Sequence, residues 1–328
     1  METALSLPLI AARTVHFAST VMIAGTILFL FLIEAPVVKR LGDRTQPIFT
    51  SLHKRLVRIA WWCLAVSIVS GVAWLLVLAA KISGSSLREV ISDGAARTFL
   101  TQTQFGHDWE VRFVLAVLLA VALLRFRSTD GWHSAEGFLA AALAMGFLGS
   151  LAWSGHGGAT PGLRGGVHVT ADAFHLIAAG AWIGGVFPLA LLLSSAEKMT
   201  GAVGINIARD AALRFSTLGI VAVGTLVITG VVNTWVLVGS ISALIEFQYG
   251  RMLLLKIAIF LVLLVVAAVN RTRLTPRLAT PTAGGSRSSM DALRRLKQSC
   301  VIETALGIGV LILVGALGTI SPGMDMPE

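Results

Sequence analysis

Residues 14–33 read TVHFASTVMIAGTILFLFLI, and this apolar stretch decides the fold. A helix rises about 1.5 Å per residue, so twenty residues span the roughly 30 Å of hydrocarbon in a bilayer. Arg13 interrupts the apolar start, and Lys39 and Arg40 follow the run, where a cleavable signal peptide would carry small residues. We therefore predict a retained first membrane helix.

Similar apolar runs recur to the end of the chain. The predicted spans are residues 14–33, 59–80, 109–124, 137–153, 173–193, 215–238, 252–269 and 301–320. The third is the weakest, because its continuous apolar part covers only residues 113–124. The 328 residues are 55% hydrophobic and only 13% charged, about half the charge of a soluble domain. The composition excludes soluble, disordered and nucleic-acid-binding proteins and predicts an all-α polytopic membrane protein with eight transmembrane helices.

Lys and Arg predict the orientation. The loops after helices 1, 3, 5 and 7 carry eighteen of them, against eight on the other side. Cytoplasmic loops of membrane proteins are enriched in these residues. We therefore expect both termini outside, in the periplasm, and a bacterial inner-membrane location. The net charge of +9 then reflects orientation in the lipid bilayer, with no nucleic-acid partner.

The chain also contains an internal repeat. Four segments recur in the same order: residues 13–25 with 172–184, 70–71 with 229–230, 105–112 with 249–256, and 136–154 with 303–321. We therefore divide the chain into two tandem four-helix repeats, residues 1–156 and 157–328. An even number of helices gives both repeats one orientation, so the axis relating them should lie along the membrane normal.

Two histidines occupy equivalent positions inside predicted spans. His16 and His175 each precede a glycine, Gly25 or Gly184, by nine residues. Ionisable residues within a membrane usually face the bundle interior and serve function. The alternative is a neutral histidine hydrogen-bonded to a neighbouring carbonyl. Because the repeats pair them, we expect the two imidazoles to converge near the axis, beneath the outer surface.

The second histidine belongs to a candidate metal cluster. His168, Asp172 and His175 stand at positions i, i+4 and i+7, on one face of a helix. Imidazole and carboxylate are suitable ligands for copper. His156, in the preceding Gly-rich turn, could join them. Asp172 also aligns with Arg13 between the repeats, so a salt bridge between these two is the alternative.

Other polar and sulfur-bearing residues have two interpretations each. Arg112 and Lys256 are equivalent cations that either snorkel to lipid headgroups or hold an anionic group within the bundle. The sulfur-bearing side chains could relay a soft ion, although packing and inert thiols explain them as well; they are Met22, Met145, Cys63 and Cys300. No phosphate-binding loop or nucleophile motif occurs, so we do not expect an enzyme.

Residues 171–185, ADAFHLIAAGAWIGG, resemble the Asp-x-x-His…Trp-x-Gly-Gly helix of the copper resistance protein D family (CopD/PcoD). The likeness is best over residues 167–273. It implies an inner-membrane protein of copper homeostasis or resistance that takes copper from a separate periplasmic CopC-type protein and moves it inward. The family motif falls here on Asp172, His175, Trp182, Gly184 and Gly185.

Two other functions remain open. One repeat looks like the small haem-associated membrane family that oxidises protoporphyrinogen, and two histidines on facing helices can bind haem. A non-transporting scaffold for a periplasmic copper protein is the third hypothesis. The preferred one is copper passage, in which His156, His168 and Asp172 collect the ion and His16 and His175 pass it into the bundle.

Overall fold

A computed structural model describes residues 2–41, 46–92, 94–125, 135–155, 162–199, 202–278 and 286–321. Every element assigned in these ranges is helical, which confirms the all-α prediction. The α-helices are α1 (Glu2–Phe29), α2 (Ala35–Leu41), α3 (Gln46–Ser83), α4 (Leu87–Ser92), α5 (Ala95–Gln102), α6 (Gln104–Arg125), α7 (Ala135–Gly149), α8 (Gly162–Ala179), α9 (Gly185–Glu197), α10 (Ala202–Val238), α11 (Ile241–Glu246), α12 (Gln248–Val269) and α13 (Ser286–Leu317).

Seven helical stretches of the described residues are long and apolar enough to cross a membrane. They are Ser6–Arg40, Phe49–Ser83, Ala135–Ala152, Gly162–Glu197, Ala202–Val238, Gln248–Arg277 and Arg287–Leu317. Each overlaps one of the predicted spans. The remaining one, the third, is α6, whose 22 residues are long enough. Asp108, Glu110 and Arg112 lie in its first half, and α6 is not among the seven, so the eighth span and the orientation stay predictions.

Short π-helical segments interrupt three of the long helices. Leu30–Glu34 joins α1 to α2, Gly180–Gly184 joins α8 to α9, and Asn270–Leu274 follows α12. Such segments shift the side chains that follow them around the helix axis and are frequent at functional sites. The sequence pattern predicted none of them.

The two halves of the chain meet at a pair of glycines. A Cβ atom on Gly25 would overlap the backbone of Gly184. A Cβ atom on Gly184 would overlap the Val21 carbonyl and lie 3.0 Å from the Gly25 Cα atom. Only glycine allows this approach of α1 to the Gly180–Gly184 segment. The two residues are those that the repeat pairs, 159 positions apart.

The α1 helix lies at the centre of the bundle and α12 at its edge. The α1 helix packs against α3, α7, α9, α13 and the Gly180–Gly184 segment. Of the most apolar window of Ser6–Arg40, 72% is buried, against only 6% for Gln248–Arg277. The outer face of α12 is therefore left for lipid.

Ion pairs join helices at the end of the bundle predicted to be cytoplasmic. Arg40 Nη1 lies 2.6 Å from Asp210 Oδ1, which links α2 to α10. Glu197 pairs with Arg294 at 3.1 Å and also with Lys297, which links α9 to α13. Such pairs are solvent-screened and contribute modestly to stability.

Candidate functional site

The first half encloses a polar pocket around His16, which is 1% exposed. Its Nδ1 atom lies 2.9 Å from the Ser67 carbonyl oxygen and 3.3 Å from Ser70 Oγ. Its Nε2 atom lies 2.7 Å from Arg112 Nη2. Because a guanidinium only donates, Nε2 accepts from Arg112, and the neutral tautomer therefore has its proton on Nδ1, which donates to Ser67. Both ring nitrogens are engaged, so no lone pair is left for a metal.

Aromatic rings and a second cation close this pocket. The His16 ring lies 5.6 Å from Trp74 and 5.1 Å from Trp109, and Phe105 packs 5.8 Å from Trp74. The Arg13 guanidinium carbon lies 4.4 Å from the centre of the Trp74 ring, a cation–π distance. The pocket therefore contains two cations, and a further positive ion would be repelled.

Arg112 is fixed deep inside the first half. Its Nη1 atom donates to the Phe147 carbonyl at 3.0 Å and to Ser150 Oγ at 2.7 Å. The residue is 1% exposed. It does not snorkel to the headgroups, because the Phe147 carbonyl, the Ser150 hydroxyl and His16 Nε2 give it acceptors within the bundle.

The second half contains a related pocket around His175. Its Nδ1 atom lies 2.9 Å from Thr229 Oγ1. The Thr229 hydroxyl donates to the Thr225 carbonyl at 2.6 Å, so it accepts from the imidazole, which carries its proton on Nδ1. Within the described ranges Nε2 has no hydrogen-bond partner. His175 therefore keeps a free lone pair, which His16 lacks.

A carboxylate lies one helical turn from this imidazole. Asp172 Oδ1 accepts a hydrogen bond from Asn233 Nδ2 at 3.2 Å. Lys256 lies close enough to Asp172 and His175 to act on both electrostatically, and no ion pair within 4 Å joins it to Asp172. Arg13 forms no ion pair with Asp172; its guanidinium instead lies against Gly318 at the carboxyl end of α13, where helix carbonyls favour a cation.

The two pockets share one framework. Each imidazole contacts a carbonyl, a hydroxyl and a glycine of the following long helix. A Cβ atom on Gly71 would lie 3.2 Å from His16 Cε1, and one on Gly230 would lie 3.7 Å from His175 Cε1. The matched pairs, all 159 residues apart, are His16 with His175, Ser67 with Leu226, Ser70 with Thr229, Gly71 with Gly230, and Trp74 with Asn233.

The expected convergence of the two imidazoles is not what the contacts show. The side-chain partners recorded for His16 all lie in the first half, and those for His175 all lie in the second. Each imidazole packs against the next long helix of its own repeat. The glycines, Gly25 and Gly184, occupy the junction instead, because only they are small enough.

The predicted metal cluster is not assembled among the described residues. They contain no group of three or more His, Cys, Asp or Glu residues that could hold a metal ion. His168 and His175 are seven residues apart, a rise of about 10 Å along a helix, which is too far for both to bind one ion directly. His168 is 2% exposed. His156 lies outside the described residues.

The predicted relay residues lie on four different helices. Met145 and Cys63 pack against the main apolar core, and Met22 is partly buried. Cys300 is 1% exposed and, like Cys63, is a free thiol. A role in passing a soft ion stays a prediction.

The remaining motif residues pack helices together. Trp182 is 2% exposed and lies edge-on to Phe260 at 6.0 Å. Gly184 provides the contact with α1, and a Cβ atom on Gly185 would lie 2.8 Å from the Phe215 ring. These positions require small or flat side chains so that the Gly180–Gly184 segment can approach its neighbours.

The residues present do not fit a haem bound between two histidines. Iron needs one free nitrogen from each imidazole. Both nitrogens of His16 already have partners, and Trp74 and Trp109 pack against its ring. His16 and His175 therefore cannot both be axial ligands of one haem iron in this structure.

Sequence analysis did not identify a buried pair at the other end of the bundle. His53 Nδ1 lies 2.9 Å from Glu34 Oε2, and both side chains are 2% exposed. Glu34 Oε1 is buried without a hydrogen-bond partner. A glutamate between an apolar run and Pro36 was the available signal. Its partner could not be identified, because His53 lies among exposed basic residues in the sequence.

The long apolar helices with ionisable side chains buried between them define an integral membrane protein. Two family models match the chain: "Copper resistance protein D-like, N-terminal domain" over residues 3–167, and "Copper resistance protein D" over residues 209–317. The chain therefore belongs to the copper resistance protein D family, and the resemblance is confirmed. Residues 168–208, which contain the motif from Asp172 to Gly185, lie between the two matched stretches.

Three curated relatives are similar along most of this chain. Copper resistance protein D of Pseudomonas syringae pv. tomato is 30% identical over 80% of the chain and 81% of its own length. Inner membrane protein YebZ of Escherichia coli (strain K12) is 29% identical over 95% and 98%. Copper transport protein CutJ of Bacillus subtilis (strain 168) is 26% identical over 100% and 55%. No solved structure matches the chain.

Proposed function

We propose that this protein binds copper on the periplasmic side of the bacterial inner membrane and passes it toward the cytoplasm. Family membership supports a copper-related membrane function, and the names of two relatives refer to copper resistance and copper transport. The observation that carries the proposal is the free Nε2 lone pair of His175, one turn from the Asp172 carboxylate.

The chemistry of this pair suits an ion in transit. Imidazole nitrogen and carboxylate oxygen are ligands for copper(II), and imidazole also serves copper(I). Two protein donors leave other coordination positions for exchangeable ligands, so the ion is not trapped. His168, nearer the start of the same helix, would receive copper from a separate periplasmic copper-binding protein, together with His156, which precedes the helix in the sequence. His16 is not part of this path, because its nitrogens are engaged.

Copper uptake into proteoliposomes tests the proposal. Replacing His175 with alanine removes a ligand, and loss of even a supporting residue typically lowers metal affinity or activity tenfold or more. We therefore expect uptake to fall at least about tenfold at limiting copper, with Asp172→Asn lower than wild type as well. Uptake would be measured as vesicle-associated copper, with both copper(I) and copper(II) supplied.

His107→Ala is the matched control. This histidine is on the same predicted outer side, but its side chain is 56% exposed and pairs with Glu110. Its variant should transport at the wild-type rate. Equal uptake by the His175→Ala and wild-type proteins would reject the proposed path, and it would favour the scaffold hypothesis if copper transfer from a periplasmic donor survived.

A further inference from the structure

The two pockets differ in how their equivalent cations are held. Residues 112 and 256 are equivalent positions in the repeats, and both carry a cation. The Arg112 side chain is docked on His16 Nε2 at 2.7 Å and is held by two further acceptors. Lys256 lies within electrostatic range of Asp172 and His175 and makes no ion pair with Asp172. In the first pocket Arg112 is thus bound to His16, whereas in the second pocket Lys256 is not paired with Asp172.

The neighbouring positions differ in the same sense. Arg13 and Trp74 in the first half correspond to Asp172 and Asn233 in the second. The first pocket has the Arg13 guanidinium over the Trp74 ring. At the equivalent positions, the second has the Asp172 carboxylate, which accepts a hydrogen bond from the Asn233 side-chain amide. The first pocket therefore carries positive charge and no carboxylate at these positions, whereas the second carries the Asp172 carboxylate, on which Lys256 acts electrostatically.

From this comparison we propose that Lys256 is an internal competitor for the transported cation. This rests on the proposed function. The Lys256 ammonium and a copper ion alternately neutralise Asp172 beside His175. In the first half, the equivalent cation, Arg112, stays bound to the His16 imidazole. Of these two pockets, only the one in the second half is therefore an exchangeable cation site.

Electrostatics in a medium of low dielectric gives this competition its strength. Two positive charges that share one carboxylate repel each other, and the repulsion is far larger inside a protein than in water. An arriving copper ion binds the carboxylate that the Lys256 ammonium would otherwise approach, and the approach of the ammonium weakens the hold on copper. Lys256 thereby lowers the affinity of the site and speeds release of the ion.

Substitutions at residue 256 should act in opposite directions. Lys256→Met removes the competitor, so copper should bind about tenfold more tightly and leave more slowly. Lys256→Arg should weaken binding by about tenfold, because a longer guanidinium can dock on His175 Nε2 as Arg112 does on His16. The reciprocal Arg112→Lys variant is the control, and its copper affinity should equal that of the wild type.

The full chain in lipid nanodiscs is the sample for the measurement. Copper(I) affinity is obtained anaerobically by competition with a colorimetric chelator, and copper(II) ligation from nitrogen hyperfine structure in electron paramagnetic resonance spectra. Wild type should bind one ion, as should His16→Ala. Elution volume and the unfolding temperature from tryptophan fluorescence establish that each variant is folded.

The outcomes separate the two proposals. If His175→Ala binds copper as well as the wild type does, the proposed function fails and the competition falls with it. If His175→Ala loses copper while Lys256→Met and Lys256→Arg both keep the wild-type affinity, only the competition fails. Loss of the bound ion in His16→Ala would overturn the assignment of a single site to the second half.

Discussion

At the scale of single residues, the pair of Glu34 and His53 is the least expected feature. It lies between a π-helical segment and the start of α3, and both side chains are 2% exposed. A buried pair of this kind offsets its desolvation only while both partners are present. Loss of Glu34 removes the carboxylate partner of His53 Nδ1, and loss of His53 leaves a buried carboxylate without its imidazole.

We predict that Glu34→Leu lowers stability by about 3 kcal/mol, because it leaves His53 without its carboxylate partner. The double variant Glu34→Leu/His53→Leu should regain most of this loss, since apolar residues of similar volume often replace a buried pair without penalty. The unfolding temperature in detergent provides the measurement. A double variant no more stable than the single one would contradict this account.

The sequence was sufficient to predict where the buried histidines lie, but not which side chains form hydrogen bonds with them. That His16 and His175 lie in apolar helices follows from the length of the runs around them. That Arg112 uses up the second nitrogen of His16 does not, because a long side chain can reach several neighbours. The alignment between repeats contained one unused signal: Trp74 corresponds to Asn233, which indicates that the two pockets differ.

At the scale of elements, the junction between α1 and the Gly180–Gly184 segment determines how closely the halves approach. We predict that Gly184→Ala destabilises the bundle by about 1–3 kcal/mol, the usual effect of overpacking, because the new methyl group overlaps the Val21 carbonyl. Gly224→Ala on α10 is the control, since nothing lies within 4 Å of its added Cβ atom. Equal unfolding temperatures for the two variants would refute a tight junction.

Element boundaries were predictable where apolar length decides them. Seven predicted spans coincide with long apolar helices, because hydrocarbon thickness fixes the number of residues required. The π-helical segments were not predictable, since one extra residue per turn depends on tertiary contacts. The short helices before α6 and α12 were also missed; they pack so closely that a Cβ atom on Gly106 or Gly250 would overlap their backbones.

At the scale of the whole molecule, the predicted orientation can be tested by labelling. In a Cys63→Ser/Cys300→Ser background, Ser83→Cys should react with an impermeant maleimide in spheroplasts. Ser288→Cys should react only after lysis, because the Lys and Arg residues around it keep this loop in the cytoplasm. Both side chains are exposed, so accessibility is set by the membrane. The reverse pattern would invert the predicted topology.

The repeat predicted the shared framework of the two histidine pockets but not which of the two stays open. Equivalent residues at a constant spacing indicated two similar pockets, and the matched contacts of His16 and His175 have that form. Which pocket stays open depends on charges at a few positions. Such differences are visible only when the aligned residues are considered as neighbours in space.

The sparse packing of α12 has a mechanical consequence. Only 6% of its most apolar window is buried by the rest of the chain, so a change in the tilt of this helix would disturb little of the core. Lys256 is carried on this helix. A small change in the tilt of this peripheral helix would therefore move the Lys256 amine toward or away from the Asp172 carboxylate. Arg112 in the first half, by contrast, is held in the interior.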